Sequence, residues 1–329
     1  MRHLVVIAGA LLVATVRTAS ADLLDDCYRN VRPDAQIAAC SQIIESSVFG
    51  RDEKALAFTN RGEARTEAGA LNDAIADFTA ALRLRPDSAR SLAGRGEARF
   101  AAGNFPGAIT DYNDAIRLMP ASANLYFDRG HVYLAAGSLD ASIRDLTEAI
   151  RLDPNSASAY NNRGLAFRKK GDNAHAFDDY TEAIVINPVY ALAYANRGYL
   201  LESQGKKREA VDDLSQALWL DPSQAEVLAA LRRLGVTDEI TRDSERRVAQ
   251  GRVLAEANCS GCHALAEGTS PNRNAPEFRS LHRRYRLLSL RAPITRGIAA
   301  PHDQMPRFLL TAGEVDMIVA YINSLALKK

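Results

Sequence analysis

From about Ala55 to Gln224 the chain repeats itself every 34 residues, and that period restricts the fold more than any other feature of its 329 residues. Gly62, Gly96, Gly130, Gly164 and Gly198 keep the register, as do Gly69, Gly103, Gly137, Gly171 and Gly205. Ala81, Ala115, Ala149, Ala183 and Ala217 follow it too, and so do Pro86, Pro120, Pro154, Pro188 and Pro222. Five copies in register mean one supersecondary unit used five times. Each copy reads as a helical hairpin. A glycine near its middle allows the turn, and a proline after the second helix stops it, because proline lacks the amide hydrogen and clashes with the preceding turn. Small residues such as Gly130 and Ala149 let the helices approach, while Tyr126, Leu146, Ile150 and Leu152 fill the space beside them.

A second series runs through the same period. Arg61, Arg95, Arg129, Arg163 and Arg197 precede the turn glycine by eight residues, and Asp77, Asp111, Asp145, Asp179 and Asp213 follow it by eight. Antiparallel helices bring such positions to one level, which predicts a structural ladder of ion pairs. The whole pattern resembles the tetratricopeptide repeat (TPR) family, over about half of the chain. That resemblance implies an all-α superhelical solenoid whose inner helices line a groove for a protein or peptide. The residue before each arginine lines the groove in that family, and here it is Asn60, Gly94, Asp128, Asn162 and Asn196. Asparagines there suit the backbone of an extended peptide, with solvated polar groups as the default reading. Leu23 to Ser47 read as a shortened capping hairpin. Ala225 to Leu234 read as a helix covering the last apolar face, Gly235 ends it, and Thr237 offers an N-cap to the polar helix that follows.

Beyond the repeats stands Cys259-Ser260-Gly261-Cys262-His263. Two cysteines three apart with a histidine next to the second form the attachment signature of c-type haem. One turn of chain sets both sulfurs beside the vinyl groups, and the next imidazole reaches the iron. A structural zinc site would need four ligands with a further close Cys or His pair, whereas only the scattered His282 and His302 follow. A thioredoxin-like dithiol would end a strand, yet the surroundings read as helix and loop.

From about Asp238 to Lys329 the pattern resembles class I cytochrome c. Gly251 lies eight residues before Cys259, where the family lets its first and last helices cross in contact. Thr311-Ala312-Gly313-Glu314 is a capping box opening a helix with Val315, Ile318, Val319, Ile322 and Leu325 at helical spacing. Tyr321 falls where the family packs an aromatic against that glycine, and Ala255 stands where many members carry a second one. The resemblance implies one covalently attached haem c, with His263 and Met305 as axial ligands. Met305 precedes Pro306 in an irregular stretch, whereas Met317 belongs to the last helix and His282 and His302 lack that context. Pro276 matches the family's proline whose carbonyl accepts the other imidazole hydrogen.

Arg2 and His3 precede an apolar run from Leu4 to Val16, and Ala19-Ser20-Ala21 offer a small-residue cleavage site, so a secretory signal and a periplasmic address are expected. No transmembrane span remains after cleavage, since thirteen apolar residues fall short of the roughly 20 a span needs. With Cys259 and Cys262 taken by haem, Cys27 and Cys40 remain as an even pair in an oxidising compartment, where a disulfide is the expected state. The net charge of +1 gives no footing for a nucleic-acid partner. It is unevenly spread: Asp243 to Lys329 carry 13 Lys and Arg against 8 Asp and Glu, and Asp22 to Arg242 carry 26 against 32. Such asymmetry steers oppositely charged partners. The parts are then a signal peptide (1–21), a disulfide-bearing cap (22–54), five repeats (55–224), a capping helix and linker (225–237) and a cytochrome region (238–329). The expected function is an exported monohaem electron carrier with a docking array for a redox partner or peptide, and no bond chemistry on a substrate. A redox- or gas-responsive haem adaptor and a cytochrome assembly factor are the alternatives.

Overall fold

The computed structural model describes residues 23–28, 33–236, 238–260 and 311–326, and among these every regular element is a helix. The chain divides at Ala141 and Ser142 into two compact units. In the first, a short helix α1 (residues 23–28) is followed by α2 (Pro33–Glu45), α3 (Arg51–Glu67), α4 (Leu71–Leu84), α5 (Ala89–Ala101), α6 (Phe105–Leu118) and α7 (Ala123–Ala135). Helix α8 (Leu139–Leu152) carries the chain into the second unit. There follow α9 (Ala157–Lys170), α10 (Asn173–Ile186), α11 (Ala191–Ser203), α12 (Lys207–Leu220), α13 (Ala225–Arg233), α14 (Asp238–Cys259) and α15 (Ala312–Ala326). No described helix is long and apolar enough to cross a membrane.

Two kinds of glycine build each hairpin. The turn glycines Gly69, Gly103, Gly137, Gly171 and Gly205 all have φ between 73° and 85°, a left-handed conformation that side chains resist. The crossing glycines make room for a large side chain of the second helix. A Cβ on Gly62 would lie 2.9 Å from Cζ of Phe78, on Gly164 2.9 Å from Cε1 of Tyr180, and on Gly198 2.8 Å from Cγ of Leu214. Phe78, Tyr180 and Leu214 are each fully buried in that notch.

Within each of the two units the ion-pair ladder is present. Arg61 meets Asp77, Arg95 meets Asp111 and Arg163 meets Asp179 at 2.7 Å, and Arg197 meets Asp213 at the same distance, each through two guanidinium nitrogens. Asp77 and Asp111 each accept from a further arginine, Arg65 at 2.6 Å and Arg99 at 2.7 Å. The third guanidinium nitrogen does something the spacing alone does not reveal. It donates to the preceding hairpin: Arg61 to Ser41, Arg95 to Thr79, Arg129 to Asn113 and Arg197 to Thr181, at 2.6 to 3.3 Å. Arg61, Arg95, Arg163 and Arg197 therefore each close their own hairpin and tie it to its neighbour.

The first repeat helix begins at Arg51 rather than Ala55 because Asp52 and Glu53 supply the acidic first turn that a helix N-terminus favours. Ahead of it, Cys27 and Cys40 are joined in a disulfide with Cα atoms 4.9 Å apart. They lie in a small core with Ala39, Ile43 and Ala57. At the other end of the repeats, Val227, Ala230 and Leu231 of α13 cover Ala195, Leu214, Ala217 and Leu218.

Candidate haem site and groove

Helix α14 carries the first residue of the attachment motif at its last position, Cys259. What holds α14 is its crossing with α15. A Cβ on Gly251 would lie 1.8 Å from the carbonyl oxygen of Met317 and 2.4 Å from its carbonyl carbon, so the two backbones touch there. Any side chain would push the helices apart. Around this point Ala255, Cys259, Val315, Ile318, Val319, Tyr321 and Ile322 form one buried cluster, with Val248, Leu254 and Leu325 packed on its edge. The atoms nearest Gly251 belong to the α15 backbone, and Tyr321 is buried one turn further along. The small side chain of Ala255, wholly buried, fits the close approach.

The start of α15 is set locally. Thr311 N–H and hydroxyl both donate to one carboxylate oxygen of Glu314 at 2.7 Å, and Glu314 N–H donates back to the Thr311 hydroxyl at 3.3 Å. These bonds hold the Glu314 carboxyl below its usual range. At the other end of the site, Ser260 Oγ donates to the Glu256 carbonyl at 2.6 Å and continues the hydrogen bonding of α14 into the motif. The Cys259 side chain thus sits against an apolar helix face, the surroundings a planar macrocycle requires, with a second thiol and an imidazole three and four residues on. These residues fit a covalently held haem. Cys262, His263, Pro276 and Met305, with His282 and His302, lie outside the described residues.

The groove positions show a second arrangement. In the first unit Arg90 pairs with Glu63 at 2.6 Å and also donates to Asn60 Oδ1 at 2.8 Å. At Gly94 a Cβ would lie 2.5 Å from the Phe78 ring, which explains why an asparagine is missing there. Asp128 takes the next position. Burial first, and the Glu97 carboxylate second, push its pKa up to about 7. Glu97 is itself raised, by burial and then by Glu63, although its surface stays open to solvent. His131 stands 5.1 Å from Phe100 and 6.3 Å from Phe127 between ring centroids. In the second unit Asn196 is buried and donates to Asn161 Oδ1 at 2.9 Å, while Asn161 donates to Asn162 at 3.4 Å. Asn60, Asn162 and Asn196 are thus bonded within the chain.

The cytochrome c family model matches residues 248–326. TPR repeat models match residues 96–137 and 130–171, and tetratricopeptide repeat models match 157–190 and 191–224. The chain is a TPR array joined to a cytochrome c domain. The hairpin of α3 and α4 precedes the matched repeats yet carries the same turn glycine, notch and ion pair. Among curated proteins no sequence matches. Among solved structures, PilF of Pseudomonas aeruginosa is similar at 20% identity and a TM-score of 0.53, over 64% of this chain and 94% of that one. MamA is similar at 27% identity and a TM-score of 0.46, over 50% of this chain and 96% of its own. YrrB, described as a TPR protein with an unusual peptide-binding site, is similar at 20% identity and a TM-score of 0.47, over 60% and 99%. The likeness to PilF is one of fold.

The cytochrome c domain implies a covalently bound c-type haem, and the TPR array implies protein or peptide binding. Sequence reasoning missed the carboxylate and ring residues Glu63, Glu97, Phe100 and His131, because it followed only one groove position per repeat. Their signal was available: they occupy the helix turns after that position, where the five copies share no residue type.

Proposed function

We propose that this protein is an exported monohaem cytochrome that passes single electrons, and that its TPR array docks the protein with which it works. The observation that carries the proposal is the backbone contact at Gly251, which seats a buried Cys259 at the head of the attachment motif. Cys259 and Cys262 would hold the porphyrin by thioether bonds, and His263 and Met305 would bind its iron. Pro276 would orient the imidazole by accepting its second hydrogen through the backbone carbonyl. When bound, the haem supplies a one-electron iron couple whose potential a His and Met pair raises. With His263 and Met305 both bound to the iron, no position would be left for a substrate, which supports electron transfer over bond chemistry. Export is supported by the apolar Leu4 to Val16 run, the Ala19-Ser20-Ala21 segment and the Cys27–Cys40 disulfide.

The test is a pyridine haemochrome spectrum of periplasmically expressed protein, repeated on Met305→Ala. One haem per chain in both, resistant to acid acetone, with an altered axial spectrum only in the variant, is the expected result. A colourless protein overturns the cofactor. Carbon monoxide binding by the reduced wild type overturns the closed site and turns the reading towards a gas-responsive adaptor.

A further inference from the structure

Trp219 is the single tryptophan of the chain, and it interrupts a series. The equivalent positions of the first three copies are Arg83, Arg117 and Arg151, and the fourth has Val185. Trp219 lies in the last turn of α12 and is 40% exposed. Arg247, from the helix that leads to the haem motif, covers it. Its guanidinium carbon stands 4.3 Å from the centroid of the indole, and its Nη1 donates to the Trp219 carbonyl at 3.3 Å. That carbonyl is one of the last four of α12, which have no partner within the helix. A cation at a helix C-terminus also meets the negative end of the helix dipole. One side chain thus makes a cation–π contact, satisfies an orphan acceptor and neutralises a dipole.

A separate observation concerns the connection between the two parts. Gly235 adopts φ of 77° and its N–H donates to the Arg232 carbonyl at 3.0 Å. Val236 N–H donates to the Leu231 carbonyl at 3.0 Å, and its side chain packs on the core of the last hairpin beside Leu214 and Leu231. Only Thr237 separates this anchored segment from the first residue of α14.

We infer that the array's terminal edge is a docking surface for the chain's own haem-bearing region, with Arg247 of α14 seated on Trp219 as its anchor. The last repeats and the cytochrome domain then move together, so a protein bound by those repeats meets the haem in a set geometry. The docking itself stands on the contacts above, and its consequence for electron transfer rests on the electron-carrier reading.

The sole tryptophan makes this measurable in the full, haem-loaded chain, because haem quenches indole emission in a distance-dependent way. The experiment compares time-resolved emission and small-angle scattering of the wild type, of Arg247→Ala, and of a chain with a flexible Gly/Ser insertion after Val236 as the free-tether reference. The wild type is expected to show one short lifetime and a single compact scattering profile. Arg247→Ala should shift the docked-to-undocked ratio by roughly tenfold, the scale of a partly desolvated cation–π contact with its hydrogen bond, seen as a broadened and longer lifetime distribution. Arg247→Lys, which keeps the charge and loses the planar fork, should fall between. A wild type indistinguishable from the insertion chain in lifetime and scattering overturns the inference. So does an Arg247→Ala chain indistinguishable from the wild type. If the protein is colourless, it is the electron-carrier reading that has failed, and the scattering arm alone decides the docking.

Discussion

The repeats and the cytochrome domain both cross two helices over a glycine, and they use it in opposite ways. At Gly62, Gly164 and Gly198 the space a Cβ would need is taken by a side chain, Phe78, Tyr180 or Leu214. At Gly251 it is taken by the backbone carbonyl of Met317. A side chain can be trimmed by another substitution or can turn aside, whereas a carbonyl in a helix can do neither without moving the helix. The repeats are therefore tolerant, correctable units. The haem-bearing pair depends on one contact that no second substitution can repair.

Gly251→Ala is the severest way to break that contrast. A Cβ within 1.8 Å of a carbonyl oxygen should separate α14 from α15, a cost above about 4 kcal/mol for that domain. The expected result is protein that retains the helical circular dichroism of the array but incorporates no haem, checked by haem absorbance per chain. Normal haem content would mean that the crossing adapts as the repeats do.

Removing one partner of a part-buried ion pair should come next. Asp179→Ala takes the carboxylate partner from Arg163, whose side chain is 19% exposed, and should cost about 3 kcal/mol in urea unfolding. Burial already raises the Asp179 pKa against the pull of Arg163, so replacing both residues by apolar ones should recover most of that loss. Asp77→Ala takes the carboxylate partner from both Arg61 and Arg65 and should cost more than Asp179→Ala.

Gly62→Ala tests the tolerant side directly. It should cost about 1–3 kcal/mol through overpacking against Phe78. Adding Phe78→Leu should return part of that, a coupling visible in a double-mutant cycle. Lack of any coupling would show that the ring is not what occupies the notch.

The smallest effect distinguishes the two regions by pH. The Asp128 carboxyl has its pKa raised from 3.8 to about 7 in the folded array, so the folded state resists its ionisation. Its cost to stability is absent below about pH 4, grows as pH rises and is complete above about pH 7. Asp128→Asn should therefore stabilise the array at pH 8 by about 1 kcal/mol once solvent screening is allowed for, and leave it unchanged at pH 3.5. Thermal melts followed in the far ultraviolet at the two pH values check this. The apolar cluster between α14 and α15 should show no matching change in a haem-band melt.

Much of this was legible in the residues alone. The turn glycines, the stop prolines and the capping box of Thr311 and Glu314 are local devices, set by backbone conformation or by partners a few residues away. The motif at Cys259 carries its cofactor class in five consecutive residues. The pairing of Arg61 with Asp77 needed only the symmetry of a hairpin about Gly69. Other features were illegible for a common reason. The donation from Arg197 to Thr181, the ring of Phe78 filling the place of an asparagine at Gly94, the bond from Asn196 to Asn161 and the seat of Arg247 on Trp219 join residues of different hairpins or different domains.

The sequence by itself therefore determined the unit, its number and its chemistry, because a 34-residue period and a five-residue motif are complete within short stretches of chain. Only the tertiary structure decided what each groove position does and where the carbonyl of Met317 lies, because those depend on how neighbouring helices stack. Stacking is set by contacts between neighbouring hairpins, which no single 34-residue copy contains.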